Sequence, residues 1–249
     1  MLARISALQG DVGFYYKNLV SGRTIAYQAD MPLIAASVIK LPIMVEAYRQ
    51  FEAGRLDPGK IVPVRAQDKV PSCGVVTYLR DDLEMTVADL VTLSIIVSDN
   101  TATNLVIDQV GIDNVNRMLD SLGLTSTRLR RKLFDMESAR RGLQNHITAG
   151  EIGRLLETLY WGNVVSPDAC RRMLSILKDQ QLNGKIPFRL PESLPVAHKT
   201  GEDDGITHDC GIVYADEPFV LCFCANHVDV PACERLMQDI AWELVYEKR

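Results

Sequence analysis

The sequence predicts an α/β protein of the α+β kind, an antiparallel sheet built from both ends of the chain around a helical insertion. Three observations carry this. The chain opens with two short strand-like runs, and it closes with three more before a final helix. Each set is joined by turn-length connections, which suit antiparallel pairing. Between the two sets the apolar residues recur at helical spacing. The 249 residues suffice for one large domain or two intertwined ones. The expected division is a discontinuous sheet domain, residues 1–36 with 185–249, and an all-helical domain, residues 37–184. An active site is expected in the crevice between them.

Element by element, Val12–Lys17 and Arg23–Gln28 read as strands around the turn Asn18-Leu-Val-Ser-Gly22. Ser37 to about Ala53 has helical spacing, and Gly54 stops it. Thr86 with Asp89 forms an acidic variant of the capping box and opens a helix through Ile96. Asn100–Gln109 and Asp113–Leu122 are shorter helices closed by Gly111 and Gly123. Thr148-x-x-Glu151 caps another helix, and Ser166-Pro167-Asp168 opens the next with proline at its first position. Val196–Thr200, Cys210–Ala215 and Phe219–Ala225 then read as strands. The last amphipathic helix is expected from Pro231 to about Glu247, with Ile240, Leu244 and Val245 inward.

Composition excludes several classes. Hydrophobic residues make up 47% and charged ones 24%, too apolar for a disordered chain. The best apolar run, Leu90–Val97, falls far short of the roughly 18 residues of a membrane span. With 27 basic and 32 acidic residues, net −5, nothing supports nucleic-acid binding. Cys73, Cys170, Cys210, Cys222, Cys224 and Cys233 contain no C-x-x-C and read as small hydrophobes in a reduced protein. His146, His198, His208 and His227 are scattered, and satisfied polar roles are expected rather than metal ligation. No metal, cofactor or membrane partner is predicted. No secretory signal is visible at Met1-Leu-Ala-Arg-Ile5, so the expected compartment is the cytoplasm, or outside it if the chain has been trimmed.

There is no G-x-S-x-G elbow, H-E-x-x-H, phosphate loop or dinucleotide turn. Three short segments stand out instead: Ser37-Val-Ile-Lys40 at a helix start, Ser98-Asp-Asn100 in a break between helices, and Lys199-Thr-Gly201 on a strand. S-x-x-K alone is uninformative, since Ser175-Ile-Leu-Lys178 also matches and reads as a helix face. The ordered triple is specific, and its chemistry is coherent. A serine hydroxyl becomes nucleophilic when a neighbouring base takes its proton. Residues i and i+3 share a helix face, so Lys40 is expected to reach Ser37 Oγ. Burial and a second cation, Lys199, would lower the Lys40 pKa towards neutrality. The Ser37 backbone N–H can serve as an oxyanion donor. Ser98 suits proton relay, Asn100 suits a substrate amide, and Lys199 with Thr200 suits a carboxylate. Gly201 would let substrate approach the strand closely.

At these residues the sequence resembles the penicillin-recognising serine hydrolases, in the class A β-lactamase-like branch. The resemblance covers nearly the whole chain. It implies a five-stranded antiparallel sheet flanked by helices, beside an all-helical domain. It implies that Ser37 is acylated, Lys40 is general base, Ser98 passes a proton to the leaving nitrogen, and Asn100 binds the acyl amide. Lys199 and Thr200 would bind the substrate carboxylate, and the Ser37 and Glu202 N–H groups would form the oxyanion hole.

Two departures from the family pattern bear on function. Class A β-lactamases use a loop glutamate to activate the deacylating water. Aligning Thr127-Arg-Leu129 with the start of that loop places Leu133 at its position, with Asp135 and Glu137 offset. Leucine cannot activate water, so the chain falls in the branch lacking the loop glutamate, and weak β-lactam turnover is expected. The second is Cys210, where many members carry a carboxylate-binding arginine; Arg189 is the candidate substitute. Glu202-Asp-Asp204 is expected as a solvated acidic turn, and Arg128-Leu-Arg-Arg-Lys132 as a solvated or ion-paired segment. The function expected is a serine hydrolase forming an acyl-enzyme at Ser37 with β-lactams or related amides. Its alternatives are a D-alanyl-D-alanine carboxypeptidase or esterase, and a non-catalytic sensor of β-lactams or wall peptides.

Overall fold

The computed structural model describes residues 1–246. A short helix α1 (Leu2–Ser6) precedes the hairpin β1 (Asp11–Asn18) and β2 (Thr24–Tyr27). A two-residue strand, β3 (Leu33–Ile34), leads into a tight 3-10 turn, Ala36–Ile39, before α2 (Lys40–Glu52). Ser37 therefore lies in the 3-10 turn, whereas the sequence periodicity merges that turn with the helix. Gly54, at φ +64°, follows the end of α2 as expected. A small hairpin, β4 (Ile61–Val64) with β5 (Leu83–Thr86), is an element the periodicity does not reveal.

Thr86 and Asp89 close the expected capping box at α3 (Val87–Ile96), the Thr86 Oγ1 accepting from the Asp89 N–H at 3.0 Å. Helices α4 (Asn100–Val110), α5 (Ile112–Ser121) and the short α6 (Met136–Arg140) follow. Strand β6 (His146–Ile147) pairs with β3. Thr148 caps α7 (Ala149–Tyr160), but the Glu151 carboxylate does not close a capping box. It accepts instead from the Ser126 and Thr127 N–H groups at 2.9 and 2.5 Å, which pins the chain before the loop carrying Leu133. Ser166 caps α8 (Pro167–Lys178) with proline in the first turn.

Three strands close the fold: β7 (Val196–Asp203), β8 (Ile206–Val213) and β9 (Phe219–Asn226), followed by α9 (Val230–Tyr246). The end expected for the last helix, Glu247, lies outside the described residues. The sheet order is β2-β1-β9-β8-β7, antiparallel throughout and five-stranded as the resemblance implies. Both chain ends meet where Phe14 pairs with Phe223.

Side chains alternate across the sheet. One face presents Tyr15, Cys210, Cys222 and Cys224 to the helical body. The other presents Phe14, Val213, Phe219 and Phe223 to α1 and α9. Each such fully buried apolar side chain contributes about 1.5–3 kcal/mol. The six cysteines are all free, and five are buried as expected of small hydrophobes. The decoy match is a helix face: Ser175 is exposed, and Lys178 Nζ lies over the Tyr214 ring.

The β7–β8 hairpin differs from the expectation. Strand β7 runs on through Glu202 and Asp203, and β8 begins at Ile206 rather than Cys210. The turn falls at Asp204-Gly205, with Gly205 at φ +65°. Glu202 and Asp203 are therefore strand residues, and the solvated acidic turn expected there shrinks to Asp204.

Candidate active site

The three motif segments converge on the edge strand β7. Lys40, the first residue of α2, is completely buried. Its ammonium donates to the Ser98 carbonyl at 2.7 Å, Ser98 Oγ at 3.0 Å and Asn100 Oδ1 at 2.7 Å. These bonds use all three of its donors. Ser37 Oγ is not among the Lys40 partners, contrary to the expectation from i,i+3 spacing. The 3-10 turn changes the relation between the two positions, and the Ser98 loop captures the ammonium.

Ser98 is held at φ +54° and Ala36, next to Ser37, at φ +41°. Such conformations in non-glycine residues cost about 1–3 kcal/mol each and persist only where the surroundings enforce them. At Ser98 the enforcement is visible. Asp99 caps α4 through the Ala102 N–H at 2.8 Å and accepts from the Val75 and Val76 N–H groups at 2.7 and 2.8 Å. Gly74, at φ +111°, lies so close to the Asp99 carboxylate that a methyl group there would overlap it. The Asn100 N–H donates to the Cys73 carbonyl, and Asn100 Nδ2 to the Pro71 carbonyl at 3.3 Å. The 71–76 loop, which the sequence does not single out, thus clamps the Ser98-Asp-Asn100 segment. Asp99, between two motif residues, is the signal for it.

Lys199 is also fully buried, its ammonium 3.1 Å from Ser98 Oγ and 2.9 Å from the Thr200 carbonyl. Ser98 Oγ accepts from two lysines, so its own proton is directed elsewhere. Burial, and then the charge of Lys199, hold the Lys40 ammonium well below the ordinary lysine range. Burial likewise brings Lys199 down to about 7, against the opposing pull of the Asp209 carboxylate.

Gly201 also has a packing role. A Cβ there would stand 3.1 Å from the His208 ring, 3.2 Å from Val38 and 3.3 Å from Ala36. Glycine lets β7 pack against the turn that carries Ser37. His208 accepts the Ala225 N–H on Nδ1, so Nε2 carries the proton and donates to the Ile34 carbonyl at 2.8 Å. Its burial lowers the imidazole pKa to about 4. Glu202 alternates with Gly201, whose position faces His208 across the hairpin. The Tyr214 N–H bonds to the Pro195 carbonyl, which makes odd-numbered β7 residues the hydrogen-bonded ones. The Glu202 N–H consequently points out from the open edge of β7, as an oxyanion donor must.

Leu133 lies in the loop between α5 and β6, half-buried against the helical core. Asn104, on α4, bonds both the N–H and the carbonyl of Leu133. Asp135 caps α6 through the Ser138 N–H at 3.0 Å, hydrogen bonding to Ser138 lowers its pKa, and Glu137 is exposed. Arg189 does not serve the site: it pairs with Asp239 on α9 and stacks near Trp242. The proline-flanked loop carrying it turns outward, which corrects the sequence expectation of a substitute for the missing arginine. The basic segment is ion-paired, Arg128 to Asp120 and Lys132 to Asp108.

A buried lysine pair about a strained serine, between an antiparallel sheet and a helical body, defines a serine-type, β-lactamase-like hydrolase. The chain belongs to the family described as the Beta-lactamase enzyme family, which it matches over residues 2–248. It is 31% identical over 224 residues to a β-lactamase of Streptomyces fradiae, covering 85% of this chain and 69% of the relative. Among solved structures, a β-lactamase from Sphaerobacter thermophilus superposes with TM-score 0.91 at 31% identity, covering 100% of this chain and 97% of that one. A single-residue mutant of PBP-A, solved as an acyl-enzyme complex with penicillin G, superposes with TM-score 0.88 at 25% identity, covering 98% of this chain and 92% of that one.

Proposed function

We propose that the protein forms an acyl-enzyme at Ser37 with β-lactams and related acyl-amides and releases it slowly. The observation that carries this is the buried Lys40 ammonium, depressed in pKa by its burial and by Lys199, beside the two motif residues Ser98 and Asn100. In this reading Lys40 acts as the neutral amine that its lowered pKa makes accessible, its lone pair takes the Ser37 proton, and the ammonium so formed later returns a proton to Ser98. The Ser37 oxygen then attacks the lactam carbonyl, whose oxygen is received by the Ser37 and Glu202 N–H groups. Ser98, already accepting from both lysines, delivers its proton to the departing nitrogen. Asn100 binds the acyl amide.

Leu133 supports slow release, because at the position that aligns with the family's loop glutamate it offers no basic oxygen to activate a water. The same residue favours a second reading, in which the physiological reaction is D-alanyl-D-alanine peptidase-type transfer. The likeness to the penicillin-acylated PBP-A mutant supports the acylation step common to both. Intact mass after exposure to benzylpenicillin tests it: an adduct of the full drug mass is expected, and it should vanish in Ser37→Ala. An unmodified wild type, or an adduct that survives the substitution, would overturn the reading.

A further inference from the structure

Among the described residues neither Lys40 nor Lys199 has a carboxylate partner, although the fields of two buried carboxylates reach them. Both acids are occupied elsewhere. Asp99 is bound by the Val75, Val76 and Ala102 N–H groups. Asp209, on β8, is fully buried, and it accepts from the Ile186 N–H at 3.0 Å on one oxygen and from His198 Nδ1 at 2.8 Å on the other. Burial pushes this carboxyl up, but His198, Lys185 and the Ile186 N–H outweigh it and hold it below the usual carboxylate range. His198 Nε2 lies 3.0 Å from Asn183 Oδ1. The Asn183 amide cannot be turned round, because its Nδ2 donates to the Gln180 carbonyl at 3.1 Å. Both ring nitrogens of His198 therefore face acceptors, and only a proton on each satisfies them.

The register sets this pair directly behind Lys199. His198 precedes Lys199 on β7, and Asp209 precedes Cys210, the residue paired with Lys199 on β8. Side chains alternate, so the pair lies on one face of the hairpin, and Lys199 with Lys40 lies on the other. The further charge on the pair's own face is Lys185, which donates to the Gly201 and His208 carbonyls and is balanced by Glu202 at 3.0 Å and Glu234 at 3.7 Å. Gln180 Nε2 bridges the Ile95 and His198 carbonyls at 3.0 and 3.4 Å, fastening this strand to the helix end before Ser98.

We propose that His198 is a buried imidazolium, and that His198 and Asp209 are positioning residues which act through Lys199 to set the pH range of Ser37 acylation. This rests on the acylation reading above. The Asp209 carboxylate favours the charged form of Lys199, and the His198 charge cancels part of that pull. Lys199 must keep its proton to donate to Ser98 Oγ, whereas Lys40 must lose its own to act as base. Deprotonation of Lys199 thus bounds acylation on the alkaline side, and that is the limb the pair controls. An uncompensated Asp209 extends the limb upward, and a missing Asp209 cuts it short.

The test is the pH dependence of adduct formation with benzylpenicillin, followed by intact mass. Asp209→Asn removes the carboxylate and should move the alkaline limb down by about one pH unit. His198→Gln keeps a donor for Asp209 but no charge, and should move the limb up by about one pH unit. If the pair is only a strut for the hairpin, both variants slow acylation with the limb unmoved. That result, or shifts in the same direction, overturns the proposal and leaves the Ser37 reading standing. Should one variant fail to fold, the other decides alone by the direction of its shift. Proton–nitrogen NMR of the His198 ring at about pH 7 should show both nitrogens protonated. A ring with a single proton overturns the proposal whatever the variants do. Absence of any wild-type adduct defeats both readings.

Discussion

Asn104 satisfies both backbone polar groups of Leu133, its Oδ1 accepting the Leu133 N–H at 2.8 Å and its Nδ2 donating to the Leu133 carbonyl at 2.9 Å. The backbone of the loop residue on which deacylation is proposed to turn is thus held by a helix, in addition to the packing of its side chain on the core. A new side chain can be placed at 133 without disturbing the loop's anchor.

Leu133→Glu is accordingly expected to keep the fold and to present a carboxylate that activates water. A positioned general base contributes about 100- to 10,000-fold. The decay of the penicillin adduct, followed by time-resolved intact mass, should accelerate by at least about 100-fold. An adduct as long-lived as that of the wild type would place the missing element elsewhere.

Removing the anchor has the opposite character. Asn104→Ala leaves the two Leu133 backbone groups without their partners, at about 1–3 kcal/mol. A urea melt should register that loss. Adduct formation at Ser37 should suffer less, since the Asn104 side chain bonds to Leu133 and to none of Lys40, Ser98 or Lys199.

Gly74→Ala tests the clamp on the Ser98 segment. A methyl group would overlap the Asp99 carboxylate, and φ +111° is unfavourable for alanine. The Asp99 bonds to Val75, Val76 and Ala102 would shift with it. A loss of about 1–3 kcal/mol in chemical denaturation is expected, with slower Ser37 acylation because the Lys40 acceptors move.

Lys199 ties stability to pH. Its folded pKa is about 7 against 10.5 for an ordinary lysine, so the folded protein binds fewer protons than the unfolded chain across that interval. Stability from this group is lowest below pH 7 and rises as pH climbs towards 10.5. Urea midpoints at about pH 7 and about pH 9 should show wild type gaining on Lys199→Met at the higher pH. Equal differences at both values would mean that Lys199 is not depressed in the fold.

Thiol reactivity offers a check on the packing. Cys73 is partly exposed and the other five cysteines are buried. Burial also pushes the Cys210, Cys222 and Cys233 thiols up, Cys233 to about 12. A disulfide reagent should label one thiol per native molecule, lost in Cys73→Ser, and six on unfolding. Rapid native labelling of Cys210 or Cys224 would contradict the sheet packing.

Much of this is legible in the sequence because its signals are local. The capping residues Thr86, Thr148 and Ser166 each bond where the spacing places them. The Ser37, Ser98 and Lys199 segments declare themselves by order. What escapes depends on distant partners. Pairing of Leu33 with Ile147 is too short to leave a period. Lys185 gains meaning only when the hairpin turns at Gly205 and brings the Gly201 and His208 carbonyls together. Arg189 is misplaced for a related reason: Asp239 on α9, rather than a substrate carboxylate, supplies its counter-charge. The expected Lys40–Ser37 contact fails because i,i+3 reasoning assumes an α-helix, and the Ala36–Ile39 turn is not one.

The pairing of β1 with β9 also dictates a schedule of assembly. Strand β1 finds its partner only after the intervening helices and the β7–β8 hairpin have been made, and β7, carrying Lys199, belongs to the same later hairpins. Until then the emerging chain holds Ser37 and Lys40 without the sheet that buries them, and long-range pairing of this kind is slow. If Ser37 is acylated as proposed, a penicillin label would mark chains whose sheet has closed and pass over those that still lack β9.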